Sequence, residues 1–327
     1  MPPPLLSVAG LTVDIATPRG TLHAVRDLSF DINAGETLCL VGESGCGKSM
    51  TALALMGLLP ETATRRAQHL RFEGEELATA SPRRLASLRG NRMAMIFQEP
   101  MTALNPAYTI GDQLIEVHRR HKGSSVGEAR TRAIELLEKV GITAAGERLG
   151  QYPHQLSGGL RQRVMIAMAL MCGPALLIAD EPTTALDVTI QAQILRLLTD
   201  LQRDLGVAML LITHDLGVVA RVAHRVAVMY AGEIVESATA SALFGLPRHP
   251  YTRGLMASIP IPGRTAPGER LGAIAGIVPS LIGEFRGCAF RDRCPYAFAA
   301  CGETVPWRDA DDHGWRCTLA QIPAEAA

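Results

Sequence analysis

The feature that most constrains the fold is the segment GESGCGKS, residues 42–49, which fits the phosphate-loop pattern G-x-x-x-x-G-K-[ST]. The apolar run TLCLVG precedes it and MTALALMGLL follows it, which predicts a strand, a glycine loop and a helix. The glycines let successive backbone N–H groups face a phosphate chain, and Lys48 and Ser49 are suited to the β- and γ-phosphates and to Mg²⁺. The alternative, a glycine turn with a solvated lysine, does not require this strand–loop–helix context.

Three further apolar runs predict strands: ALLIADEP at 175–182, GVAMLLITHD at 206–215 and RVAVMYAGEIVE at 225–236. The first two, like TLCLVG, are mostly continuous rather than alternating, as expected for parallel strands covered on both faces. Between them, residues 187–206 place apolar side chains on one helical face, so the order is strand, helix, strand. The predicted fold class is α/β with a parallel core sheet.

The chain on either side of this core has a different pattern. The first 35 residues alternate as antiparallel strands do, whereas residues 111–172 are mostly helical in pattern. From about Ile259 the sequence is rich in proline and glycine, which predicts a domain boundary. We expect a nucleotide-binding domain at 1–258, with a helical subdomain at roughly 99–172, and a small Pro/Gly- and Cys-rich metal-cluster domain at 259–327.

Charge and hydropathy exclude some function classes. Lys and Arg number 32 and Asp and Glu also number 32, so electrostatics gives no reason to expect a nucleic acid partner. The first residues lack a secretory signal, and the longest apolar run, 164–179, is too short to span a membrane. We expect the protein in the cytosol, or on the cytosolic side of a membrane made by other chains, where thiols stay reduced.

Polar residues at the ends of apolar runs indicate catalytic chemistry. After a phosphate loop, Asp180 suits the Mg²⁺ shell and Glu181 suits an attacking water, although two solvated acids are the simpler alternative. His214 ends the next run and is expected either to face the same crevice or to be structural. Gln98, at the end of MAMIFQ, is a weaker candidate of this kind.

A second anion-binding terminus occurs at LSGGLRQR, residues 156–163. Ser157 is a good N-cap and two glycines follow, so a capped helix start is the simplest interpretation. One nucleotide does not need two such termini on one chain, whereas two chains that face each other do. The segment therefore predicts a dimer.

In order, GESGCGKS, Gln98, LSGGL, LLIADEP, ALD at 185–187 and His214 resemble the motifs of the ATP-binding cassette ATPases over about 250 residues. The resemblance implies a P-loop NTPase that hydrolyses ATP with Mg²⁺. The implied ATP-binding residues are Gly42, Glu43, Ser44, Gly45, Cys46, Gly47, Lys48 and Ser49. The implied catalytic residues are Glu181, His214 and Gln98, and the implied magnesium ligands are Ser49, Gln98 and Asp180. In a dimer, Ser157, Gly158 and Gly159 would act on the partner's ATP, and Asp187 would couple the two sites.

Further segments resemble the ATPase subunits of dipeptide and oligopeptide importers: FQEPMTALNP, YPHQLSGG, RVMIAMAL, DVTIQAQI, HPYTRGL and the cysteine-bearing tail. The resemblance implies peptide import with two transmembrane permeases, a second homologous ATPase and an extracytoplasmic peptide-binding protein. Nickel importers share much of this pattern and are an alternative. A soluble cassette ATPase is less favoured, because such proteins commonly carry two cassettes or a coiled-coil insertion. A catalytically silent module is disfavoured by the intact set of polar residues.

Two features of the sequence depart from the family's pattern. The signature segment often ends in Gln, whereas position 160 is Leu. The family also stacks adenine on an aromatic residue shortly before the phosphate-loop strand, whereas residues 1–29 contain no Phe, Tyr or Trp. Arg19 or His23 offers a flat substitute for such a ring.

Four of the seven cysteines lie in the last forty residues, at Cys288, Cys294, Cys301 and Cys317. In a reducing compartment they favour a metal over disulfides. Their spacing leaves zinc and iron–sulfur open, because it contains no close C-x₂₋₄-C pair and because Pro295 follows Cys294 as in some iron–sulfur sequences. The resemblance to peptide importers, whose tails of this type are associated with a [4Fe–4S] cluster, favours a structural cluster over Zn²⁺.

Overall fold

The computed structural model describes residues 3–99, 103–184, 187–258, 272–319 and 322. Its contacts divide the chain into two compact units. The helical unit comprises residues 1–5, 32–36 and 79–212, and the sheet unit comprises residues 6–31, 37–78 and 213–327. Each unit is therefore assembled from segments that are far apart in the sequence.

The described residues form strands and helices in the following order. The strands are β1 (Leu6–Thr17), β2 (Gly20–Ile32), β3 (Thr37–Val41), β4 (Ala63–Arg66), β5 (His69–Phe72), β6 (Glu75–Glu76), β7 (Met93–Ile96), β8 (Leu176–Asp180), β9 (Ala208–Thr213), β10 (Arg225–Tyr230), β11 (Glu233–Thr239), β12 (Trp307–Ala310) and β13 (His313–Arg316). The helices are α1 (Lys48–Met56), α2 (Pro82–Leu88), α3 (Ile110–Lys122), α4 (Val126–Lys139), α5 (Ala145–Arg148), α6 (Gly158–Leu170), α7 (Val188–Leu205), α8 (Leu216–Val222), α9 (Ala240–Gly245) and α10 (Pro250–Ala257). Short 3₁₀ turns lie at Pro153–Gln155, Arg291–Arg293 and Ala299–Gly302.

In the helical unit, three buried strands run parallel. The parallel arrangement of β8 and β9 is as predicted from their continuous apolar sequences, whereas β7 is not among the predicted strands. β7 pairs in parallel with β8, and β8 pairs in parallel with β9. The strand–helix–strand order of β8, α7 and β9 is also as predicted. Helices α3 and α4 begin with reciprocal capping boxes, Thr109 with Asp112 and Ser125 with Glu128. Each capping box fixes the residue at which its helix begins.

The sheet unit contains two groups of strands. One group has the order β2-β1-β5-β6, with β4 also on β1, and its pairs β1–β4, β1–β5 and β5–β6 are antiparallel. The predicted N-terminal antiparallel β subdomain is thereby confirmed. In the other group β3 pairs in parallel with β10, and β10, β11, β13 and β12 follow as antiparallel neighbours.

The run 225–236 is a hairpin, so its prediction as one strand is wrong. β10 ends at Tyr230 and β11 begins at Glu233, and these two residues pair across the sheet. Between them Ala231 has φ 45° and Gly232 has φ 87°. Two successive left-handed residues make the tight turn whose twist suits a two-residue hairpin.

The tail adds strands to the sheet unit. β12 pairs with β13, and β13 pairs with β11 through Glu236 beside Trp315. The predicted boundary near Ile259 lies in residues 259–271, outside the described residues, so the separate tail domain stays a prediction. Within the described part of the chain, no helix combines the length and apolar character needed to cross a membrane.

Candidate functional site

The phosphate-loop segment 42–49 lies between buried strand β3 and helix α1 and is closely packed against neighbouring backbone. Gly42 has φ 156°, and a Cβ there would lie 2.2 Å from the Met229 carbonyl oxygen. Gly47 has φ 105°, and a Cβ there would lie 2.3 Å from the Ala24 carbonyl oxygen. Both positions therefore need glycine for space as well as for backbone conformation.

Lys48 is buried at the start of α1 and is turned back onto the loop. The residue is only 4% exposed, and its Nζ donates to the carbonyl oxygens of Gly42 at 2.8 Å and Glu43 at 3.0 Å. The N-cap of α1 is Gly47, with no side-chain capping hydrogen bond, and Ser49 is half-buried in the first turn. A buried ammonium group at a helix N-terminus is chemically suited to a phosphate anion.

Two residues outside the motif contact its Glu43, and no sequence pattern predicts either contact. The Glu43 N–H donates to the Tyr251 hydroxyl at 2.9 Å, and the carboxylate accepts two hydrogen bonds from Arg293. Tyr251 lies within HPYTRGL, one of the segments that resemble the ATPase subunits of peptide importers. No local signal identifies Arg293, because its partner lies 250 positions earlier.

The helical unit brings Gln98 and Glu181 together. Gln98 Nε2 donates to Glu181 Oε2 at 3.4 Å, and the Thr184 hydroxyl donates to the same oxygen at 3.0 Å. Asp180 is the last residue of β8 and is 5% exposed. Glu181 itself has φ 43°, a conformation that is costly for a non-glycine residue and that the surrounding contacts maintain.

The segment containing Ser157 begins α6 as a capped helix. Ser157 Oγ accepts from the Leu160 N–H at 3.4 Å, while Gly158 is exposed. A Cβ on Gly159 would lie 3.2 Å from Ile190 Cγ2. Asp187 caps α7 by accepting from the Ile190 N–H at 3.0 Å, so both candidate dimer segments meet at Ile190.

Other candidates lie in the sheet unit. His214 is exposed directly after β9, and Asp215 after it caps α8. Of the two candidates for adenine stacking, His23 Nδ1 lies 2.6 Å from Asp14 Oδ1, and the Arg19 N–H donates to Thr17 Oγ1 at 3.3 Å. Adenine stacking by either residue stays a prediction.

The four clustered cysteines line one cavity of the sheet unit, together with Phe290 and Tyr296. The Cys288 N–H donates to the Cys301 carbonyl oxygen at 2.8 Å. Burial raises the pKa of Cys288 to about 11, and the other three thiols add to the rise. Among the described residues, however, no three His, Cys, Asp or Glu side chains are arranged to hold a metal ion.

Comparison with known proteins identifies similar families and relatives. Residues 25–184 match the family described as ABC transporter, and residues 235–301 match the oligopeptide/dipeptide transporter C-terminal region. The chain is 50% identical over 326 residues to the dipeptide transport ATP-binding protein DppD of Bacillus subtilis, covering 99% of this chain and 97% of that protein. It is 48% identical over 302 residues to DppD of Escherichia coli, covering 92% of each.

Solved structures show the same fold. The dimeric, post-hydrolysis state of the ATP-binding cassette MJ0796, bound to ADP and Pi, superposes with a TM-score of 0.64 at 26% identity. The match covers 72% of this chain and 98% of that one. CbiO1 of Clostridium perfringens, part of the ABC transporter complex cbiONQ, matches with a TM-score of 0.61 over 74% of this chain and 91% of that one, also at 26% identity. These matches confirm the predicted P-loop ATPase fold.

Proposed function

The chain belongs to the ATP-binding subunits of ABC transporters, and from that membership we propose that it hydrolyses ATP to power import of dipeptides or oligopeptides. One observation carries the proposal: half of the residues are identical to a dipeptide transport ATP-binding protein along 99% of the chain. The similarity extends into the region matched by the oligopeptide/dipeptide transporter family, at 235–301. Relatives named for peptide transport support a peptide cargo over nickel.

In this proposal the segment 42–49 binds the ATP phosphates. Lys48 exchanges its two carbonyl partners for the β- and γ-phosphate oxygens, which its burial at the helix N-terminus supports. Mg²⁺, when bound, neutralises charge on the phosphates, and Ser49, Asp180 and Gln98 supply the hydroxyl, carboxylate and amide oxygens that suit it.

Glu181 is the proposed general base. Its carboxylate orients the attacking water and accepts its proton as the water oxygen attacks the γ-phosphorus and the bond to ADP breaks. The hydrogen bonds from Gln98 and Thr184 support this role, because they orient the Glu181 carboxylate directly after β8. We propose that His214 contacts the γ-phosphate.

The complete site is proposed to need a second chain. Ser157, Gly158 and Gly159 act on the ATP of a homologous partner ATPase, and Asp187 couples the two sites. The shared contact of both segments with Ile190 supports such coupling. Two permeases hold the pair at the cytoplasmic face of the membrane, and an extracytoplasmic binding protein delivers the peptide.

For the tail we propose a structural [4Fe–4S] cluster on Cys288, Cys294, Cys301 and Cys317. The donor set suits it, because four thiols line one cavity. Zinc would draw four sulfurs to within about 2.3 Å of a single ion. A [4Fe–4S] cluster binds its four thiolates through four irons, so the four cysteines need not converge on a single ion.

The test compares the purified chain with the assembly of two ATPases, two permeases and peptide-loaded binding protein. We expect turnover to be roughly 10²-fold lower for the isolated chain, because the charge-stabilising groups of a facing partner are missing. ATPase activity that responds to peptide-loaded binding protein supports the proposal. Full activity of a monomeric chain, or stimulation by a nickel-loaded binding protein but not by a peptide-loaded one, contradicts it.

A further inference from the structure

A buried ion pair joins the cysteine-rich tail to the phosphate loop. Arg293 ends the 3₁₀ turn Arg291–Arg293 and directly precedes Cys294. Its Nη1 and Nη2 donate to Oε2 and Oε1 of Glu43 at 2.7 and 2.9 Å. The Arg293 side chain is 5% exposed and that of Glu43 is 30% exposed. This two-pronged geometry is the strong form of an arginine–carboxylate contact.

The remaining donors of Arg293 are bound by the tail and by a strand residue. Nε donates to the Ala275 carbonyl oxygen at 2.7 Å, and Nη2 also donates to that of Ile274 at 3.1 Å. Nη1 also donates to the Tyr230 hydroxyl at 3.3 Å. All three guanidinium nitrogens therefore donate hydrogen bonds. The tail carbonyl oxygens and Tyr230 hold the side chain in the orientation in which it contacts Glu43 of the loop. The hydrogen bonds to Glu43 raise the pKa of Arg293 above its already high ordinary value.

An aromatic cluster of Tyr230, Tyr251 and Phe290 supports the same contact. The ring centroids lie 4.6 Å apart for Tyr230 and Tyr251, and Phe290 is 5.2 and 5.3 Å from them. Tyr251 accepts the Glu43 N–H, and Tyr230 accepts from Arg293. Since Phe290 is two residues from Cys288, the tail packs against the two tyrosines whose hydroxyls accept from Glu43 and from Arg293.

We propose that Arg293 is a positioning residue for the phosphate loop, which keeps the Glu43 carboxylate neutralised and away from Lys48. Lys48 now donates to the backbone carbonyl of Glu43, so a released carboxylate would compete for its ammonium group. The same negative charge would repel the ATP phosphates at short range. The proposal rests on the proposed function of residues 42–49 and adds that the tail sets the affinity of that segment for ATP.

The test measures equilibrium binding of ATP to the full, metal-loaded chain, with thermal unfolding as a check of folding. Arg293→Gln is expected to weaken ATP binding about tenfold, the scale of one charge-assisted contact. Arg291→Gln is the matched control, because Arg291 lies in the same turn, its side chain is 38% exposed, and its contacts within the described part of the chain are with tail groups such as the Arg286 carbonyl oxygen. Its affinity for ATP should be unchanged. In the assembled transporter, Arg293→Gln should raise KM for ATP and leave kcat within about twofold.

A second substitution tests whether Arg293 acts through Glu43. Glu43→Gln removes the charge, so we expect Glu43→Gln/Arg293→Gln to bind ATP within about threefold of Glu43→Gln alone. Arg293→Lys keeps the positive charge but cannot make the two-pronged contact with the Glu43 carboxylate, so we expect it to lose less affinity for ATP than Arg293→Gln. If Arg293→Gln does not fold, Arg293→Lys can be measured in its place.

Two results overturn the proposal: Arg293→Gln binding ATP as Arg291→Gln does, or the double variant binding as weakly as Arg293→Gln. Lys48→Ala separates this failure from failure of the proposed function. If Lys48→Ala binds ATP normally, the assignment of residues 42–49 fails. If it loses ATP while Arg293→Gln does not, only the role of Arg293 fails.

Discussion

The phosphate loop and the cysteine-lined cavity belong to the same unit but are specified in different ways. The loop is eight consecutive residues whose shape follows from two glycines pressed against the carbonyl oxygens of Met229 and Ala24. The cavity takes its four thiols from residues 288–317, and two of them, Cys294 and Cys301, lie at or next to short 3₁₀ turns. A contiguous motif carries its own geometry, whereas scattered ligands obtain theirs from the fold around them.

The two regions also differ in the chemistry that they need. Lys48 is buried and donates to two backbone carbonyl oxygens, which the phosphates of ATP would replace in the proposed function. Thiols have to lose protons before they bind a metal, and burial raises the pKa of Cys288, Cys294 and Cys317, which opposes that loss. In the proposed function, the loop is already shaped for the ATP phosphates, whereas the cavity would be completed only when a metal binds.

The largest expected effect is that of Glu181→Gln, which keeps the shape of the side chain and removes the base. We expect ATP binding to persist and turnover by the assembly to fall roughly 10²–10⁴-fold. Single-turnover hydrolysis in the assembled transporter measures this. Thr184→Ala is the matched comparison, because it removes one hydrogen bond to Glu181 and keeps the base. Near-normal turnover of Glu181→Gln would remove the general base from the account.

A smaller effect separates two glycines of the loop. Gly42→Ala and Gly45→Ala both place alanine at positive φ, but only Gly42 has backbone within 2.2 Å of the new Cβ, whereas Gly45 has nothing within 4 Å. We expect Gly42→Ala to weaken ATP binding roughly tenfold more than Gly45→Ala, through the displaced backbone. Titration with a fluorescent ATP analogue checks this, and equal losses would show that packing against β10 does not shape the loop.

The sequence could predict whatever depends on neighbouring residues. The strand before Gly42, the helix beginning at Lys48 and the cap at Ser157 all follow from local patterns. The hairpin at Ala231 was missed, because alanine is not a usual left-handed residue and the apolar pattern continues across it. The contact between Arg293 and Glu43 was out of reach, since no local pattern links residues 250 positions apart. The cysteines are an intermediate case. Their number predicts a metal site, but their spacing does not distinguish zinc from an iron–sulfur cluster.

The smallest expected effect on ATP turnover comes from the metal. Anaerobically purified protein should carry iron and sulfide and be coloured, and reconstitution should release at least three protons, one each from Cys288, Cys294 and Cys317. Because burial raises the pKa of these thiols, metal affinity should fall as the pH is lowered. Turnover at saturating ATP should change less than about threefold when the metal is removed, since its role is structural.

Metal analysis, a visible spectrum and proton release in two buffers provide the check. Colourless protein with one zinc per chain would reject the cluster. Metal-free protein that unfolds at the same temperature as the purified protein would reject both metals.

Conversion of ATP hydrolysis into peptide import by this chain can be measured as peptide uptake into proteoliposomes. The vesicles contain the two permeases, the partner ATPase and this chain, with binding protein and a labelled dipeptide on the extracytoplasmic side. We expect ATP-dependent accumulation of the labelled dipeptide inside the vesicles. Lys48→Ala and Glu181→Gln should each abolish it, and Arg291→Gln should leave it unchanged. Accumulation that continues with Lys48→Ala and Glu181→Gln, or ATP hydrolysis by the wild-type assembly with no peptide uptake, would contradict the proposed function.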